Sequence, residues 1–293
     1  MKDLLHLIVC PVCGGDLHRA PGEKSVICPC GHTFDVSRAG YINMLPPGKG
    51  RNAKTGDDDR MVRARAAFLS GGYYEKISTA LAGFLLPYLP PSPVICDMGC
   101  GEGYHTTNLA SHWPDAAVLG FDASKEAAET GCKRAKRLGM LPPDGIGIPT
   151  EGTAVCCLPG NLFHLPMRDH SADAAVSLFA PIAGTECRRI LKPGGLLAVV
   201  SSGRDHLLEM RRLIYDDVRL NETLPDAPDG FTPVGRESLT YTVTLGSAEE
   251  IESLFVMTPF YYKTTEAGRK RLLDRETLTV TVSVDYSFFR ADA

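Results

Sequence analysis

Apolar residues along this chain fall into short blocks that end in glycine, proline or a carboxylate, with helices predicted between them. Val94 to Met98 is a buried-strand pattern broken only by Asp97, and it runs into Gly99-Cys100-Gly101-Glu102-Gly103, after which a helix is expected through about His112. Ala117 to Phe121 reads as the next strand and ends in Asp122, with a helix following from about Lys125. Leu191-Lys192-Pro193-Gly194-Gly195 turns into another buried strand, Leu196 to Val200. Upstream, Asp58 or Asp59 is placed to cap a helix through about Leu69, and the prolines between Pro87 and Pro93 mark a boundary. Gly139 to Thr153, rich in proline and glycine, reads as a surface loop. Strands alternating with helices predict an α/β domain. No apolar run approaches the roughly 18–20 residues that span a bilayer. The Leu4 to Val9 stretch is short, interrupted by His6 and lacks a small-residue cleavage site, so the expected location is the cytoplasm, with no membrane partner.

Composition sharpens this in two places. The 293 residues carry a net charge of −4, which argues against a protein coated in nucleic acid, yet the charge is uneven. Residues 1–74 hold 10 Lys/Arg and 7 Asp/Glu, net +3, and the remainder holds 21 and 28, net −7. From Arg38 to Arg65 there are seven Lys/Arg against three Asp, in a stretch punctuated by Pro46, Pro47, Gly48 and Gly50. It reads either as a solvated linker or as a basic arm that touches nucleic-acid phosphates. The ten cysteines are also uneven, with four in the first 30 residues. In a reducing compartment such clustering points to a metal rather than to disulfides.

The cluster reads Cys10-Pro11-Val12-Cys13, then Cys28-Pro29-Cys30-Gly31-His32. A C-x2-C knuckle lets two thiolates converge on one ion, and Cys28-x3-His32 supplies two further corners of a tetrahedron. Cys30 competes with His32 as the fourth ligand. Val26, Ile27, Phe34 and Val36 flank the ligands as in the short strands of a zinc ribbon. So small a module cannot fold on apolar burial alone, so a structural Zn2+ is expected to supply its folding free energy. The other six cysteines lie in apolar runs and read as small buried hydrophobes. Lys133, Arg134, Lys136 and Arg137 suit the C-terminal dipole of their helix.

The glycine loop has the form D-x-G-x-G-x-G, built on Asp97, Gly99, Gly101 and Gly103. A strand, a glycine turn and a helix N-terminus together make a pocket into which a ligand can settle against free amides. Asp122 is placed to accept both hydroxyls of a ribose. The acid-first loop resembles motif I of class I S-adenosylmethionine (SAM) methyltransferases. Gly160-Asn161-Leu162-Phe163-His164-Leu165-Pro166, followed by Ser171 to Ser177, resembles the GDaxxLPfxdxsFD stretch of the same enzymes. Asn161 stands there where an acid recognises the adenine amino group, and the Leu162 amide would face a ring nitrogen. Leu191 to Gly195 matches their LKPGG turn.

The C-x2-C…C-x3-H module, the Gly40-Tyr41-Ile42-Asn43-Met44-Leu45-Pro46 segment, the R-A-x-F-L-x-x-G-x-Y segment from Arg65 to Tyr74 and the glycine loop occur in one order. Together they resemble the 23S ribosomal RNA (guanine-N1-)-methyltransferases of the RlmA type, a group that includes macrolide-resistance enzymes. The resemblance continues through Phe179-Ala180-Pro181, His206 to Glu209 and Met257 to Phe260. It implies a Rossmann-like, mostly parallel seven-stranded sheet over 91–293, a zinc ribbon over 1–37 and a basic arm with linking helices over 38–90. Zinc is implied on Cys10, Cys13, Cys28 and His32, and SAM contacts on Tyr74, His105, Thr106 and His206. The implied substrate is a guanine N1 in a hairpin loop of 23S rRNA, and a homodimer is implied as well. Three departures stand out: an insertion around Pro142–Glu151, Asn161 itself, and Cys30, a possible ligand that the family pattern does not require. Phe179 is the expected stacking surface for the target base. His206 is the best titrating candidate for general base, with a role in holding SAM as the rival reading. Two other functions fit parts of the chain: an inactive zinc-dependent RNA-binding assembly factor, and a small-molecule SAM methyltransferase.

Overall fold

The computed structural model describes residues 3–20, 24–45, 58–148, 150–218, 220–221 and 226–292. Lys49, Arg51 and Lys54, the middle of the expected basic arm, lie outside them. In the N-terminal module β1 (His18–Arg19), β2 (Ser25–Ile27) and β3 (Thr33–Asp35) form a small antiparallel sheet. Two helices follow, α1 (Asp59–Ser70) and α2 (Glu75–Leu85). Asp58 caps α1, its side chain accepting from the Arg60 and Met61 amides, so the acid run starts the helix as expected.

The body then runs β4 (Val94–Met98), α3 (Tyr104–Ala110), β5 (Ala117–Asp122), α4 (Lys125–Arg137), β6 (Ala154–Pro159), β7 (Ala172–Leu178), α5 (Gly184–Ile190), β8 (Leu191–Ser202), α6 (Leu208–Ile214), β9 (Phe231–Leu245), α7 (Ala248–Val256), α8 (Glu266–Leu273) and β10 (Leu278–Ala291). The seven strands lie in the order β6-β5-β4-β7-β8-β10-β9. All neighbours from β6 to β8 are parallel, and β10 runs antiparallel between β8 and β9. β5 and β6 are buried almost throughout, which is why they read as unbroken apolar blocks: helices cover both faces of a parallel sheet. Strand order reverses at β4, and in open α/β sheets ligands settle at the carboxyl ends of the strands flanking such a point.

The N-terminal module packs along the β6 edge. Val9 N–H donates to the Pro166 carbonyl at 3.0 Å, Arg168 N–H to Leu7 at 2.9 Å and Met44 N–H to Pro159 at 3.0 Å. Tyr41, Ile42 and Met44 are fully buried in this joint. The loop expected to be free surface between Gly139 and Thr153 is half of it: Leu141 and Ile146 are buried, and Ile146 N–H donates to the Gly40 carbonyl at 2.8 Å. A Cβ on Gly145 would lie 2.5 Å from Gly40 Cα, so only glycine allows the two backbones to touch. Lys136, at the end of α4, donates to the Arg38 and Pro143 carbonyls at 3.0 and 2.6 Å, so it fastens the module rather than standing free.

Candidate functional sites

The metal site assembles from the knuckle after Val9 and the turn before β3. Cys10, Cys13, Cys28 and His32 bring their ligand atoms within 4.8 Å of one another. Cys10 Sγ to His32 Nδ1 is 3.6 Å, Cys28 Sγ to His32 Nδ1 is 3.3 Å, and Cys13 Sγ to Cys28 Sγ is 3.6 Å. A tetrahedron with Zn–S of about 2.3 Å and Zn–N of about 2.0–2.1 Å has edges of about 3.5–3.8 Å, so the donor set fits Zn2+. Burial works against the Cys28 thiolate, but the His32 backbone N–H and the neighbouring donors outweigh it and bring its pKa to about 6, as a metal ligand needs. Cys30 is exposed and lies outside the set, whereas His32 lies within it. The six other cysteines are all buried.

The second site lies where β4 ends. Gly99 (φ +81°) turns the chain so tightly that a Cβ there would meet Ala180 Cβ at 2.4 Å, which brings the loop after β7 over the glycine loop. Leu162 Cδ1 lies 3.9 Å from the same point, so the loop after β6 converges there too. Asp122, at the end of β5, accepts from Gly101 N–H at 3.0 Å and from Ser124 N–H at 2.7 Å, which holds its carboxylate at the mouth. Asp97 is 1% exposed, and its Oδ2 accepts from Thr106 Oγ1 at 2.6 Å, while Oδ1 is buried with no hydrogen-bond partner. Burial raises the Asp97 pKa to about 7 against the pull of Thr106, with Asp122 and Glu102 adding to the rise. A buried, unsatisfied carboxylate oxygen beside a glycine loop is a place for a cationic donor, and the ammonium of SAM's amino-acid part is one. SAM therefore fits this pocket.

Thr106 is fully buried and spends its hydroxyl on Asp97. His105 Nδ1 lies 3.4 Å from Ser78 Oγ, and burial, with Arg65 and Arg134 nearby, lowers its pKa to about 3. Asn161 is exposed and its side-chain oxygen accepts from Phe163 N–H at 3.0 Å, forming a local turn.

Three aromatic rings close the far side. Phe179 follows β7 at φ +56°, a conformation that costs a non-glycine residue about 1–3 kcal/mol, and is 43% exposed. It stacks on His206 at 5.8 Å between centroids and 30° between planes, and Tyr74 lies 6.5 Å from Phe179 and 6.0 Å from His206. Leu207, next to His206, is also at positive φ (+54°). Ser283 N–H, on β10, donates to His206 Nδ1 at 3.3 Å. The neutral ring then carries its proton on Nε2, which donates to Tyr74 Oη at 3.3 Å. Burial first, and Arg211 after it, lowers the His206 pKa to about 4. So held, His206 is neutral near pH 7 with neither nitrogen free to accept a proton. Burial also raises the Tyr74 hydroxyl well above its ordinary range.

Nothing in the local pattern marks Ser283, which sits in an alternating strand like any other polar position. Arg65 is the other surprise. Counted with the basic arm, it instead points inward, its guanidinium 3.4 Å from where a Cβ on Gly101 would lie.

Both regions of the chain are similar to known proteins. A family profile described as the RlmA N-terminal zinc ribbon matches residues 8–51, and one described as a methyltransferase domain matches residues 96–199. A Streptomyces fradiae protein named 23S rRNA (guanine(748)-N(1))-methyltransferase is 35% identical over 83% of this chain and 82% of its own. A Micromonospora griseorubida protein, whose name assigns it provisionally to 23S rRNA (guanine-N1-)-methylation, is 33% identical over 98% of each chain.

Proposed function

Because the chain belongs to the 23S rRNA (guanine-N1-)-methyltransferases, we propose that its pocket holds SAM over the glycine loop and presents a guanine of 23S rRNA to it from the Phe179 side. The enzyme transfers a methyl group from SAM to N1 of that guanine. SAM, when bound, supplies an electrophilic methyl on a sulfonium. The rest of the chemistry falls to this chain's own residues. Asp122 takes the ribose hydroxyls, Asp97 the ammonium, and the Asn161–Leu162 backbone and side chains the adenine edge. Gly99 and Gly103 let the loop pack against Ala180 and Gly131, where a side chain would clash, His105 and Thr106 shape the floor, and Tyr74 with His206 closes the side toward the substrate.

Guanine N1 carries a proton near neutral pH; that proton must be lost from N1, and the lone pair so freed must be lined up with the methyl carbon at about 3–3.5 Å, with S-adenosylhomocysteine as the leaving group. Phe179 offers its exposed face to the flipped base, and its strained backbone persists because His206 stacks behind it. We assign His206 to positioning rather than to proton abstraction, since Ser283 and Tyr74 occupy both its nitrogens. In this reading the base comes from a hairpin loop, where unstacking is cheap, the enzyme works in the cytoplasm, and a homodimer is its assembly. Among the described residues no helix is long and apolar enough to cross a membrane. The zinc ribbon, docked on the β6 edge, serves as the RNA-facing module.

The observation that carries this reading is the orphaned Asp97 Oδ1 beneath a glycine loop flanked by Asp122 and a strained, exposed Phe179. The test is to incubate the purified zinc-loaded protein with unmodified 23S rRNA and isotope-labelled SAM, then digest to nucleosides for mass spectrometry. Label in 1-methylguanosine is expected; label in another nucleoside, or none, overturns the assignment.

A further inference from the structure

The side chain that touches the glycine loop from outside comes from α1, a helix that precedes the nucleotide-type fold. Arg65 ends the basic run that began at Arg38, and by sequence it belongs with cations facing RNA phosphates. Its structure is different. The nearest side-chain atoms to the Cβ position of Gly101 are Arg65 Nη1 at 3.4 Å and Cδ at 3.9 Å. Arg65 Nη2 donates to the Met257 carbonyl at 3.2 Å, so the fork is fixed by the end of α7 and not left to swing into solvent. Its charge reaches into the pocket wall, favouring the buried Glu102 carboxylate and opposing protonation of His105.

The amino-acid part of SAM is a zwitterion. Asp97 Oδ1 answers its ammonium, but the α-carboxylate needs donors of its own. The loop amide of Gly101 is already given to Asp122. A neutral His105 offers at most one N–H, and the Arg134 guanidinium lies over the Tyr104 ring, 4.7 Å from its centroid. A guanidinium, by contrast, presents parallel N–H groups in the geometry a carboxylate accepts. We infer that Arg65 binds the α-carboxylate of SAM, so that the segment between zinc ribbon and body completes the cofactor pocket. This rests on the reading that the pocket takes SAM, and not on which RNA is methylated.

The inference is tested by ligand binding to the zinc-loaded full chain, without RNA turnover. Titration calorimetry compares S-adenosylhomocysteine, which keeps the carboxylate, with decarboxylated SAM, which lacks it, on wild type, Arg65→Met and Arg65→Lys. Arg65→Met is expected to weaken S-adenosylhomocysteine by about 10- to 100-fold and decarboxylated SAM by less than about twofold. Arg65→Lys, which keeps the charge but loses the fork, is expected to fall between, again only for the carboxylate-bearing ligand. Should Arg65→Met not fold, the lysine variant decides by the same comparison. Equal losses for both ligands would mean that Arg65 acts only through its hold on Met257, and would overturn the inference. So would unchanged binding of both ligands with weaker binding of 23S rRNA, which would return Arg65 to the phosphate-contacting arm. Wild-type protein that binds neither ligand would sink the SAM reading itself, a separate outcome.

Discussion

Replacing Asp97 by Asn should make the ligand-free protein more stable in alkaline than in acid solution, relative to wild type, while destroying its cofactor site. The carboxyl is 1% exposed and its Oδ1 has no partner, and burial moves its pKa from an ordinary 3.8 to about 7. A carboxyl whose folded pKa is raised contributes most stability when protonated, and that contribution is lost as pH rises from the unfolded value through the folded one. A shift of about three pKa units corresponds to about 4 kcal/mol, and about 2 kcal/mol of it titrates between pH 5.5 and 8. Asn cannot ionise and can still accept from Thr106. The stability difference between Asp97→Asn and wild type, from urea unfolding of zinc-loaded, SAM-free protein, should therefore move by about 2 kcal/mol in favour of the variant across that range. The same variant should lose S-adenosylhomocysteine binding by calorimetry. Wild-type affinity for SAM should rise with pH up to about 7 and then level, because the ammonium prefers the ionised partner. A stability difference that stays constant with pH, or a variant that binds ligand as well as wild type, would show that Asp97 is neither a raised, buried carboxyl nor a partner of the ligand.

Four further outcomes follow from the geometry. Phe179→Ala should lower kcat/KM for rRNA by about 10- to 100-fold, the scale of one lost base–aromatic stack, with S-adenosylhomocysteine affinity unchanged in calorimetry. His206→Gln should weaken SAM binding yet leave the shape of the pH–rate profile between pH 6 and 9 unaltered, because a group with a pKa of about 4 does not titrate there; loss of a neutral-range limb would restore it as the base. His32→Ala should remove the bound zinc measured by elemental analysis, whereas Cys30→Ser should keep one zinc per chain. Gly145→Val should loosen the ribbon from the body, seen as faster amide exchange in residues 39–44, since its side chain has no space beside Gly40.

What was legible in the sequence was local. Cys10, Cys13, Cys28 and His32 converge because knuckle spacing is a property of a few consecutive residues, and the Asp97 loop is legible because its glycines are set by a turn. The Asp58 cap and the blocks that become β4, β5 and β6 are of the same kind. What the sequence could not show depends on where distant segments meet. Arg65 looks like its basic neighbours until α7 and the glycine loop close around it. Ser283 gains its role only because β10 runs beside β8 and reaches His206. The Gly139–Thr153 segment has the composition of a free loop, and contacts with distant residues, Leu5, Arg19 and Gly40 among them, are what bury part of it. β9 is exposed at most of its fifteen positions and shows no apolar run; pairing with β10 along its length makes it a strand.

Methylation of N1 of a guanine in 23S rRNA blocks Watson–Crick pairing at that base. The most direct test is reverse transcription across 23S rRNA from cells with the gene, without it, and complemented with the Asp97→Asn form. A stop is expected one nucleotide before a single guanine in a hairpin loop, present only with the wild-type gene. Identical transcripts from all three would contradict it.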